Sequence, residues 1–211
     1  RAAVITHLLQ VHRTLHENRW EWMAAKAAIY GYVDVSGEAY PTQRVDFGRD
    51  ATLTKVLTAG TKWSDAGVSP LDNLQSWAQL VLKKSGAMPV DVTMDVDTWV
   101  IFRKDPAVET ALDLTRAAGS VLNTGAQLKE GGVFMGTVHG FNIYVESGWY
   151  IDDAGTEQPI LPSGTVIMSN GLQLQGTQAY GAIRDEEAGF QAFEFFSKSW
   201  VEKDPSVRYV L

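Results

Sequence analysis

The chain has 211 residues, 45% apolar and 20% charged, a balance that suits a folded globular protein of one or two domains. Cysteine is absent, which excludes disulfide frameworks, thiol nucleophiles and cysteine-based metal clusters. A net charge of −7 disfavours a dedicated nucleic-acid binder, and no apolar run approaches the roughly 18–20 residues that cross a bilayer.

In chain order, the first element is a long helix over residues 1–30. Val4, Leu8, Val11, Leu15, Asn18, Trp22, Ala25 and Ile29 recur at alternating steps of four and three and so line one face. Gly31 is placed to end it. Such a helix runs roughly 45 Å and needs an extended sheet or a neighbouring subunit to lie against. Residues 32–47 read as a β-hairpin or two extended strands, with Pro41 at an edge or bulge. Residues 51–60 read as a short helix capped by Asp50, with Leu53, Val56 and Leu57 inward.

The sharpest helix start is Ser69-Pro70-Leu71-Asp72, with Ser69 as N-cap, Pro70 at the first position and Asp72 at the third. Leu71, Leu74, Trp77, Ala78, Val81 and Leu82 then share a face, and Gly86 closes the element behind Lys83 and Lys84. A strand follows over 89–94. Asp95 caps a short helix carrying Val96, Trp99, Val100 and Phe102, and Asp105-Pro106 opens another up to Arg116. From Gly131 the period becomes two, with strands over 133–138 and 141–145 joined at His139-Gly140. Residues 152–155 read as a loop tip, 165–168 as a strand and 192–200 as a longer strand. Asp204-Pro205 turns into a last strand over 207–210. The helical pattern already running at Arg1 and the strand pattern still running at the end lead us to expect residues beyond both ends.

Few motifs suggest chemistry. Asp46-Phe47-Gly48 spells the magnesium-binding triplet of protein kinases, but the glycine-rich loop, strand lysine and His-Arg-Asp loop of that chemistry are missing. His12 and His16 share a helix face at metal-ligand spacing without an HExxH partner, so a solvated or interface face is expected. Carboxylates gather at Asp91/Asp95/Asp97, Asp152/Asp153/Glu157 and Asp185/Glu186/Glu187. An acid–base hydrolase using Asp91 or Asp95 with a loop carboxylate would need the two in one pocket, about 5–9.5 Å apart. No G-x-S-x-G elbow occurs. Read from its residues, the protein is non-catalytic, with no cofactor and no metal.

Three stretches carry a resemblance: RWEWMAAKAAIYGYV (19–33), GEAYPTQRVDFGRD (37–50) and TKWSDAGVSPLDNLQSWAQLVLKKSGAMPVDVTMDVDTWVIF (61–102). Together they resemble the lambda-type phage major capsid proteins, the E family of tailed-phage and prophage heads; residues 131–200 fit more loosely, through the strand pair and GTQAYGAIRDEEAGF. The resemblance implies an α+β fold of the tailed-phage capsid type. Residues 1–50 and 177–211 would form a peripheral domain with the first helix as its spine, and 51–176 an axial α/β domain. The family's N-terminal arm and extended loop are not in this sequence, and a chain lacking both would pack as a monomer or small ring.

The implied function is a shell protein of a phage or prophage head, located in the virion and assembled in the host cytoplasm. Its copies would form pentamers and hexamers that enclose DNA without sequence preference, with scaffold, decoration and portal proteins as further partners and no membrane. The implied subunit-interface residues are Trp20, Trp63, Trp149 and Trp200 as aromatic anchors, with Arg44, Asp46, Arg49 and Asp65 setting register. Trp22 and Trp77, on apolar stripes, are expected in the core. Competing readings are a bacterial nanocompartment shell with a cargo pocket, the carboxylate hydrolase, and a binding module with one large exposed apolar patch.

Overall fold

The structure, a computed structural model, describes residues 2–37, 40–117, 132–152, 155–173, 176, 178–203 and 206–210. Its backbone divides into two compact units, one of residues 1–23 with 176–211 and one of residues 24–175. Helix α1 (Ala2–Tyr30) contributes to both. Its 29 residues make it about 43 Å long, as the four-three spacing predicts.

In residues 24–175, α1 ends at Gly31, whose φ of +78° is the left-handed conformation that suits glycine after a helix. The chain then forms an antiparallel hairpin, β1 (Tyr32–Gly37) with β2 (Tyr40–Asp46), pairing Tyr32 with Asp46 and Val33 with Val45. Pro41 is tolerated because this ladder has only two strands, each of them an edge.

The expected helix over 51–60 is not formed. Asp50 does cap, its Oδ1 accepting from the Thr52 N–H at 2.9 Å, but only one 3-10 turn follows (Ala51–Leu53). Val56, expected inward, is 84% exposed. A single turn wins few hydrogen bonds for the backbone freedom it costs, and the threonines at 52, 54 and 58 weaken propagation.

Helix α2 (Pro70–Ser85) follows its sequence signals closely: Ser69 Oγ accepts from the Asp72 N–H, and Gly86 closes the helix in the left-handed region. Leu71, Leu74 and Ala78 are buried, while Leu82, expected on the same face, is 43% exposed near the helix end. They pack on a four-stranded sheet of order β4-β5-β3-β8. Here β3 (Asp91–Asp95) runs parallel to β5 (Phe141–Glu146) and antiparallel to β8 (Val166–Ser169), while β4 (Gly132–Val138) pairs antiparallel with β5. His139 and Gly140 both have positive φ, the primed turn whose twist suits a two-residue hairpin.

The core joins Leu74 and Ala78 to Val92, Met94, Phe141, Ile143 and Val145 of the sheet. Phe102 of α3 (Val96–Phe102) and Val108 of α4 (Pro106–Ala117) close it from the other elements. Each fully buried side chain of this size contributes about 1.5–3 kcal/mol. A second hairpin, β6 (Trp149–Ile151) with β7 (Glu157–Pro159), stands between β5 and β8 in the chain. The sequence reading gave only its loop tip.

In residues 1–23 with 176–211, α1 meets the late segment through aromatic contacts. His16 lies edge-on to Phe195 at 5.7 Å, and Trp20 edge-on to Tyr180 at 5.9 Å. The expected strand over 192–200 is largely absent: β9 is Ser199–Lys203, paired antiparallel with β10 (Ser206–Val210). Ahead of it, Phe193 and Phe196 stack on each other at 6.3 Å, a spacing of three that an alternating strand could not bring together. The expected turn at 204–205 lies outside the described residues. Val4, Leu8, Val11 and Leu15 form the predicted stripe, yet they are 63%, 40%, 41% and 60% exposed.

Candidate functional site

Of the carboxylates singled out for acid–base work, Asp91, Asp95 and Asp97 hold the fold, and Asp153 lies outside the described residues. Asp95 caps α3, its Oδ2 accepting from the Asp97 and Thr98 N–H groups at 3.0 and 3.1 Å. Its Oδ1 accepts from the Thr98 hydroxyl and from the N–H groups of Gly164 and Thr165, both at 3.0 Å. The side chain faces inward and is buried instead of pointing to solvent. One carboxylate thus fastens the start of α3 to the loop before β8, with its lone pairs engaged. Asp97 accepts from Ser163 Oγ, and Asp91 from Asn142 Nδ2 and the Gly171 N–H. Asp91 and Asp95 lie four residues apart on one strand, about 13 Å, beyond the spacing a carboxylate pair needs.

Asp185 accepts from Lys198 Nζ at 2.8 Å and from the Glu187 N–H, which holds its carboxyl below the usual range. Asp46 accepts the Gly48 N–H at 2.8 Å, a turn closing the hairpin, so the kinase-like triplet serves backbone geometry. No cluster of three histidines or carboxylates able to hold a metal occurs among the described residues.

The residues implied as interface anchors are dispersed over the chain. Trp63 stacks on Trp77 with ring centroids 6.0 Å apart and lies against Phe102 at 5.7 Å, packed on the core. Trp20 is half-buried against Tyr180. Asp65 organises the turn before α2, its Oδ2 accepting the N–H groups of Gly60 and Lys62 at 2.7 and 2.9 Å. Arg49 lies over the end of α1. Its Nη1 donates to the Ala28 carbonyl at 2.5 Å, and its Nη2 to the Ile29 carbonyl at 2.7 Å and Thr54 Oγ1 at 2.9 Å. These are carbonyls a helix end leaves unpaired, so the guanidinium serves as a cap supplied from outside the helix.

Arg44 remains on the surface. It grips Asp34 with two bonds of 2.7 and 2.8 Å and stacks over the Tyr32 ring at 3.9 Å. The bonds from Arg44 hold the Asp34 carboxyl below its usual range. Trp149 and Trp200 are 65% and 40% exposed. Arg44, Asp46 and Arg49 are close together in the chain, on the hairpin and its base, and Trp63 and Asp65 are close together before α2. Sequence reasoning missed Ile151, 70% exposed and two residues from Trp149 on the same hairpin. The apolar alternation of Trp149-Tyr150-Ile151 between turn residues was the available signal.

Among the described residues, large apolar side chains stand exposed at several separate positions. The family model for phage major capsid protein E matches residues 1–211, and the chain belongs to that family. It is 30% identical to the major capsid protein of Escherichia phage lambda over 199 residues, covering 90% of this chain and 57% of that protein. The major capsid protein of Enterobacteria phage P21 is 27% identical over 201 residues. A crystal structure of a prophage capsid protein from E. coli CFT073 superposes with a TM-score of 0.74 at 25% identity, covering 92% of this chain and 56% of that one. The chain thus spans little more than half the length of these relatives.

Proposed function

We propose that this chain is the greater part of a shell protein of a phage or prophage head, assembling with copies of itself into pentamers and hexamers that enclose packaged DNA. The match of the whole chain to the phage major capsid protein E family carries this reading. The apolar side chains left at the surface in both units supply contact area for neighbours, among them Val4, Leu15, Trp149, Ile151, Phe190 and Trp200. In this reading α1 is the spine of a peripheral domain formed by residues 1–50 and 177–211, and 51–176 form the axial domain. Trp149 and Trp200 act as interface anchors, with Arg44 and Asp46 at the rim. Trp20, Arg49, Trp63 and Asp65 hold their neighbours in place behind the contact surfaces. Scaffold, decoration and portal proteins are the further partners, and the protein works in the virion after assembly in the host cytoplasm. Enclosing DNA fits a chain of net charge −7, which repels phosphates instead of gripping them.

Negative-stain electron microscopy of the full-length protein over a concentration series, beside light scattering, tests the proposal. Closed shells or rings of five and six are the expected result. A monomer at every concentration overturns it.

A further inference from the structure

We infer that the β6–β7 hairpin docks head to tail on the α3–α4 corner of a second copy of this chain; the inference rests on the shell reading and names one of its contacts. The hairpin presents Trp149 and Ile151, 65% and 70% exposed and two residues apart on one strand, so that they share a face. Its charge is acidic: the described residues between 149 and 159 include Asp152 and Glu157 and no lysine or arginine. Asp152 accepts from the Thr156 N–H at 2.9 Å and from Gln158 Nε2, which fixes its carboxyl group at the turn.

The corner between α3 and α4 has the opposite character. Ile101 is 39% exposed, and Arg103 and Lys104 are exposed beside it. The Lys104 N–H bonds to the Ile101 carbonyl at 3.2 Å, a single turn that brings residues three apart to the same side. Among the described residues Arg103, Lys104 and Glu157 form no ion pair, and the adjacent acid, Asp105, is occupied capping α4. An apolar pair rimmed by acids therefore faces, on another copy, an apolar residue rimmed by bases.

Both halves are fixed before they meet. Phe102, fully buried, anchors the corner in the core. The hairpin base is tied by the Ile160 N–H to the Gly148 carbonyl at 3.0 Å and by the Gly148 N–H to Glu146 Oε1 at 2.7 Å. Pre-organised surfaces lose little freedom on docking. Because tip and corner are different surfaces, the contact is heterologous, the kind that closes rings when its rotation divides a full turn.

Charge reversal tests the pairing, read by sedimentation velocity on full-length protein with circular dichroism to verify folding. Glu157→Lys alone, and Arg103→Glu with Lys104→Glu alone, are each expected to weaken self-association by about tenfold or more. Mixing the two variants is expected to restore it, since each tip then meets a complementary corner in alternation; the recovery also proves both variants folded. Trp149→Ala is expected to weaken association in every combination. Wild-type association in either charge variant, or loss in both without recovery on mixing, overturns this contact while the shell reading stands. A wild-type protein that stays monomeric throughout overturns both.

Discussion

In residues 24–175, Leu74, Val92, Met94, Phe102 and Val108 are wholly removed from water; in residues 1–23 with 176–211, Val4, Leu15, Phe190 and Val201 face it. Ala188 is the one buried apolar side chain among the described residues of the latter unit. The apolar patterning of the two is alike, and the outcome differs because burial needs a second layer. The four-stranded sheet gives α2, α3 and α4 a surface to cover, whereas α1 meets Phe195 and Tyr180 of a largely irregular segment through His16 and Trp20. A regular stripe of side chains specifies half of an interface. The other half has to be supplied.

Substitutions on the two sides of this contrast should separate sharply. Phe102→Ala is expected to destabilise the fold by about 3–5 kcal/mol, because it empties a fully buried site between Trp63 and Trp99. Leu15→Ala, at a 60% exposed site, should cost about 0.5 kcal/mol or less. Urea unfolding followed by tryptophan fluorescence measures both; equal losses would erase the distinction between the units. Next in size is Asp95→Ala. It removes the cap of α3 and leaves the Gly164 and Thr165 N–H groups without their acceptor, at a cost of about 2–4 kcal/mol in the same assay.

The smallest effect lies at the surface of the packed unit. Asp50 accepts from Lys84 Nζ at 2.7 Å and from Thr52, and these bonds, led by that of Lys84, hold its carboxyl well below the usual carboxylate range. A folded-state value below the unfolded one means that the contribution is present above about pH 4 and fades as pH falls through the folded value. Wild type should therefore exceed Asp50→Asn in stability at neutral pH, and the gap should close in acid. A gap that is the same at pH 7 and pH 2 would refute this account of Asp50.

Local signals were legible in the sequence. Ser69, Pro70, Asp72 and Gly86 lie within or beside the helix they delimit, and each acts on backbone groups a few residues away. The cap at Asp95 was legible for the same reason. Its burial was not, because the Gly164 and Thr165 donors arrive from 69 and 70 residues further along the chain. Arg49 was equally opaque: as a sequence feature it is a charge after a turn, and only the fold lays it across Ala28 and Ile29. The failed elements erred in the opposite direction. Residues 51–60 and 192–200 have plausible periodicity, but the first is too short to propagate as a helix and the second stacks Phe193 on Phe196. As to the interface candidates, a tryptophan count does not say which rings a sheet and helix will cover, so Trp63 and Trp149 looked alike.

The base of the first hairpin has a consequence for how this chain can vary. The Phe47 N–H returns to the Gly31 carbonyl at 3.0 Å, and Arg49 is tied to the last carbonyls of α1, so the excursion from β1 to β2 leaves and rejoins the body at one point. Gly31 and Arg49 are locked together there: a Cβ at 31 would sit 3.0 Å from Arg49 Nε, on a backbone already at positive φ. The positive φ keeps glycine at position 31 whatever side chain stands at 49. What lies between them is freer, since a closed excursion can lengthen at its far end with little entropic penalty. The hairpin is thus a natural place to graft a foreign peptide, with 31 and 49 as the fixed ends of the insert.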